Sequence, residues 1–71
     1  LTQQIDPNQL KKAEVSTTLA KSLISQAIEQ SAANPLLCEE ALKQASAEIA
    51  QAQTMISQVQ SAIQTSSQPS P

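Results

Sequence analysis

The chain has no aromatic residue, no glycine, no histidine and no arginine, and only one cysteine. Without Phe, Tyr or Trp any core is aliphatic, and no ring is available on which a nucleic-acid base could stack. Without Gly there is no Gly-rich phosphate loop and no glycine helix cap, so turns must rest on Asn and Pro. Without His there is no imidazole base and no Ser-His pair. One Cys and no His leave an ordinary structural zinc site without ligands, and a single Cys excludes an internal disulfide. Positive charge is confined to Lys11, Lys12, Lys21 and Lys43 in a chain of net charge −2 and pI about 4.7. That balance offers no basic footprint, so nucleic acid is not an expected partner. No apolar run approaches the roughly 18 residues that read as a membrane span.

The carboxylates are Asp6, Glu14, Glu29, Glu39, Glu40 and Glu48. Glu39 and Glu40 are adjacent, so on a helix they point about 100° apart, a poor geometry for acid–base work or a metal. Their place near a helix start favours a solvated helix-end role. No catalytic constellation, cofactor or small-molecule site is expected, and the chain reads as non-enzymatic. At 71 residues it is one domain at most and buries little core by itself. An oligomer or a partner is therefore the expected source of further burial. Leu rather than Met at position 1 is expected of a processed product, an excised domain or a trimmed chain.

What the chain does have is Ala, Gln and Ser in abundance, with aliphatic residues at helical spacing. Asp6-Pro7-Asn8-Gln9 reads as a helix start: Asp6 caps, Pro7 takes the first position, and Gln9 stands where a capping box needs it. Ile5 and Leu10 could form a hydrophobic staple across that cap. Asn34-Pro35 then interrupts the helix and can also start a second one, with Asn34 as cap. The expected organisation is a lead-in over 1–6 and a helical hairpin over 7–65. Its helices cover 7–33 and 35–65, and a disordered polar tail covers 66–71.

Leu42, Ile49, Ile56 and Ile63 recur every seven residues, and Cys38, Ala45, Ala52 and Val59 stand four residues before them. On the first helix Ala13, Ala20 and Ala27 are seven apart, with Leu10, Thr17 and Ile24 three residues ahead of each. These are coiled-coil-like a and d positions. Folding the chain back at Asn34–Pro35 sets Ala13 against Ile56, Ala20 against Ile49, Ile24 against Ala45 and Ala27 against Leu42. Leu10 then meets Val59 and Thr17 meets Ala52. The expected fold is all-α: an antiparallel two-helix hairpin with an Ala-rich seam of small against large side chains.

This layering resembles the Ala-type antiparallel coiled coils of the Rop family of dimeric hairpins, in packing style and not in particular residues. Rop-like bundles can bind RNA, but four scattered Lys and no aromatics speak against an RNA-binding regulator here. Asn34-Pro35-Leu36-Leu37, between a Ser/Ala-rich helix and a longer one, is similar to the turn of type III secretion needle subunits, which are also short helical hairpins. That similarity covers a few residues, the aromatic residues usual in those subunits are missing, and it transfers no functional residue. It implies a secreted, self-assembling filament subunit as the alternative function.

A second apolar strip, Val15, Leu19 and Leu23, runs at i, i+4 away from the Ala seam, with Ile28 extending it toward the turn and Met55 beside it from the second helix. The expected partner is protein, either a second copy giving a four-helix bundle or another helical protein, met through this strip. Cys38 reads as a small seam residue, with pairing to another chain's Cys38 as the alternative. The Gln residues of the second helix read as an uncharged solvated face.

Overall fold

The structure, a computed structural model, describes residues 5–67, with side chains through residue 64. Two helices, α1 (Pro7–Gln30) and α2 (Pro35–Ser67), pack against each other as an antiparallel hairpin. The expected helix over 7–33 ends at Gln30, and residues 31–33 form the turn. The second helix runs to Ser67, past the expected 65. Residues 1–4 of the lead-in and 68–71 of the tail lie outside the described residues.

Both helix starts are built as their residues dictate. Asp6 Oδ1 accepts from the Asn8 N–H at 2.9 Å, and the Asp6 carbonyl accepts from Gln9 N–H at 3.2 Å. Gln9, expected to complete a capping box, instead donates its side-chain amide N–H across to Gln58 Oε1 on α2. At the reversal the Asn34 N–H closes on the Gln30 carbonyl at 2.9 Å, while Ser31 Oγ donates to the Ile28 carbonyl at 2.8 Å. Asn34 Oδ1 then accepts from Leu37 N–H at 3.2 Å and caps α2, with Pro35 at the first position. No residue among those described has positive φ, so the turn is made without the left-handed cap that glycine usually supplies. Asn34→Ala removes that cap and is expected to cost about 1 kcal/mol, read as a lowered urea midpoint at unchanged slope.

Every described residue that is not exposed falls on one of two series. On α1 these are Gln9, Ala13, Ser16, Ala20, Leu23, Ala27 and Gln30; on α2 they are Cys38, Ala41, Ala45, Glu48, Ala52, Met55, Val59 and Ala62. Both series alternate steps of three and four, the spacing of a helix seam. Laid antiparallel they coincide, putting Ala13 level with Met55, Ala20 with Glu48 and Ala27 with Ala41.

The expected seam shares its small column with this one. Ala13, Ala20, Ala27, Ala45, Ala52 and Val59 are buried. The bulky column differs. Leu10, Ile24, Leu42, Ile49 and Ile56 stay 40–50% exposed, and Ser16, Leu23, Ala41, Glu48 and Met55 occupy the interface in their stead. Relative to an Ala column, the residue four ahead lies about 40° to one side and the residue three ahead about 60° to the other. Each helix has turned toward the second option. Ile24, Leu42, Ile49 and Ile56 thereby give way to Leu23, Ala41, Glu48 and Met55, and the larger of these each stand level with an Ala (Leu23 with Ala45, Glu48 with Ala20, Met55 with Ala13), so that the backbones approach closely.

Candidate interaction surfaces

A hairpin is one layer of helix, and the Cα extents of 59 × 20 × 11 Å describe such a slab. Its two broad faces are chemically distinct. At about 100° per residue, the side chains level with Leu10 and Ile24 on α1 and with Leu42, Ile49, Ile56 and Ile63 on α2 share one face. These six form an aliphatic ridge, each with 40–50% of its surface exposed. No large side chain anywhere in the described hairpin is fully buried. The ridge was visible in the sequence as the Leu42–Ile63 heptad. Assigning that heptad to the inside of the hairpin hid its role as an outer surface.

The opposite face is a glutamine face. There Lys12, Val15, Ser16 and Leu19 of α1 line an open, shallow groove with Glu48, Gln51 and Met55 of α2. Nearer the turn, Gln26 and Gln30 line a second groove with Leu37, Ala41 and Gln44. Of the strip expected to meet a partner, Val15 and Leu19 remain exposed, at 57% and 47%, beside the half-buried Met55. Leu23 has gone into the seam, half-buried. Ile28 is 69% exposed but one step of about 100° past Ala27, toward the ridge side, so the structure does not join it to Val15 and Leu19.

Three threonine hydroxyls bond back to the backbone of their own helices. Thr17 Oγ1 and Thr18 Oγ1 both donate to the Glu14 carbonyl, at 2.7 and 3.1 Å, and Thr54 Oγ1 donates to Ala50 at 3.1 Å. Ser16 is the one buried polar residue among those described, and no buried side-chain polar atom there lacks a hydrogen-bond partner. Lys43 and Glu39 form an i, i+4 ion pair at 3.6 Å, well exposed and therefore worth little. Cys38 is a free thiol, half-buried at the turn end of the seam.

Among the described residues no three His, Cys, Asp or Glu side chains gather to hold a metal ion. No helix there is long and apolar enough to cross a membrane. What the arrangement offers a partner is aliphatic surface on one face and, on the other, amide groups with a short apolar strip among the charges of Lys11, Lys12, Glu29, Glu40 and Glu48. Comparison with protein-family models, with curated proteins and with solved structures finds no match in any of the three.

Proposed function

We propose that the chain is a non-catalytic helical interaction and oligomerisation module, working by burying its aliphatic faces against other helices. The observation that carries this reading is the mismatch between what the hairpin buries and what it leaves out. Among the described residues the buried side chains are six Ala, one Ser and one Val, and Leu23 and Met55 are only half-buried, while six Leu and Ile side chains of the ridge stay half wet. Covering the remaining half of each is worth about 1 kcal/mol, on the order of 6 kcal/mol for the ridge of one copy. A domain of this length has a total stability of roughly 4–10 kcal/mol, so the uncovered term is as large as the whole. Layered folds bury such a face against a second layer.

The test is molar mass by sedimentation equilibrium over a wide concentration range. The expected result is a mass above the 7.5 kDa of one chain, settling at a discrete multiple. A helical species holding 7.5 kDa throughout, with no binding partner, overturns the reading.

A self-assembling structural subunit is the second reading. It is favoured by apolar groups on both faces and by the turn end, where Ile28, Leu36 and Leu37 are 69%, 78% and 52% exposed. Two different self-contacts on opposite faces produce an open-ended stack. A size distribution that keeps growing with concentration selects this reading over the discrete oligomer.

A further inference from the structure

We infer that the aliphatic ridge is the contact face for a second copy of this chain, stacked face to face with its turn at the opposite end, α1 over α1 and α2 over α2. This rests on the reading above and names its partner. The ridge is symmetric along its length. On α1, Leu10 and Ile24 flank Thr17 at equal distance; on α2, Leu42 and Ile63, and Ile49 and Ile56, flank the point between Ala52 and Gln53. In the register of the seam Thr17 is level with Gln51, so both midpoints fall within two residues, about 2 Å along the axis. A two-fold axis across the ridge at that level returns aliphatic onto aliphatic at all six ridge positions and Thr17 onto its own copy, as an isologous interface requires.

Charge selects this two-fold over the one along the helices. Glu14 and Lys21 lie one helical step beyond the ridge, on the outer edge of α1, at nearly equal distances either side of Thr17. The proposed axis sets Glu14 beside the partner's Lys21, and Lys21 beside the partner's Glu14. Rotation about the long axis would instead lay α1 over α2, leaving Lys21 near Ser46 and Glu14 near Gln53, with no opposite charge for either. Thr17 itself sits on the axis, and its hydroxyl already donates to the Glu14 carbonyl at 2.7 Å, so covering it orphans no donor.

Area agrees. A face 20 Å wide in Cα extent and about 36 Å long over α1 offers roughly 700 Å² per copy, close to the ~800 Å² per partner of a stable interface. The glutamine face, with Gln44, Gln51 and Gln58, stays in water.

The experiment uses the full chain. Ile49→Lys is expected to weaken the dimer at least about 100-fold, since the two-fold introduces two charges near its centre. Leu19→Lys, on the opposite face, is expected to change it less than about threefold. Thr17→Cys with Cys38→Ala is expected to form an interchain disulfide under mild oxidation. Helix axes about 8–10 Å apart bring a residue on the axis within about 4–5 Å, Cα to Cα, of its own copy. The cross-link needs no destabilised variant and so stands even if Ile49→Lys fails to fold. A dimer lost by Leu19→Lys and kept by Ile49→Lys overturns the ridge but leaves the interaction module standing. A dimer broken by Ile49→Lys that never cross-links through Thr17→Cys overturns the arrangement. A helical monomer at every concentration overturns the inference and removes self-association from the function.

Discussion

Ala20→Leu is expected to lower the thermal midpoint of the chain by roughly 4–24 °C, followed by circular dichroism. Ala20 is only 3% exposed and lies in the middle of α1's small column, with Ala45 at 3% and Ala52 at 3% in the facing one. Three added heavy atoms there must either push the helices apart or drive the side chain off its rotamer, at a cost of about 1–3 kcal/mol. For a domain of this size each kcal/mol moves the midpoint by about 4–8 °C. The loss is amplified because separating the helices also loosens the neighbouring layers of a seam built around Ala. Ala50→Leu is the control. Ala50 is exposed on the outer side of α2, and the same chemical change there should shift the midpoint by no more than a few degrees. A midpoint that rises for Ala20→Leu would show that the helices are not held at close approach, and the Ala column would lose its meaning.

The hairpin itself was legible because its signals are local and agree with one another. Asp6-Pro7 and Asn34-Pro35 each fix a helix start by a side-chain cap and a ring that needs no N–H, and both caps form as written. The Ala columns were legible for the same reason, being small residues at strict sevens. The rotation of each helix was not. Residues three and four steps from Ala20, such as Leu23 and Ile24, are both aliphatic, so apolar periodicity supports either as the second seam column. The choice depends on how closely two backbones approach, which pattern counting does not weigh. The strip Val15–Leu19–Leu23 was therefore read as one surface, although Leu23 belongs to the seam and the other two to the glutamine face. The ridge followed the same logic in reverse, because a heptad of Leu and Ile fits an inner seam and an oligomer face equally well. Glu48 is the clearest local conflict: a carboxylate on the seam series, level with Ala20, stays half-exposed because the glutamine face opens beside it.

The thermal midpoint is expected to rise by roughly 3–6 °C for each tenfold increase in chain concentration. If the ridge is covered only by another chain, folding and association are one equilibrium, and its position depends on protein concentration by mass action. Tenfold in concentration contributes about 1.4 kcal/mol per dimer, or about 0.7 kcal/mol per chain. At about 4–8 °C per kcal/mol this gives the stated shift. The same coupling makes dilution a denaturant. Helices of 24 and 33 residues with a single ion pair among the described residues have little to hold them once separated, so helicity should fall at low concentration without any change of temperature. Two other behaviours are distinguishable from this one. A midpoint constant over a hundredfold range belongs to a hairpin whose Ala seam suffices alone, which would make the wet ridge a tolerated surface. A midpoint that climbs while sedimented mass grows without limit belongs to open stacking through both faces. The discrete dimer predicts a climbing midpoint and a mass that stops at twice one chain, because burying the ridge on its two-fold leaves the amide-rich face outward, where water already satisfies it.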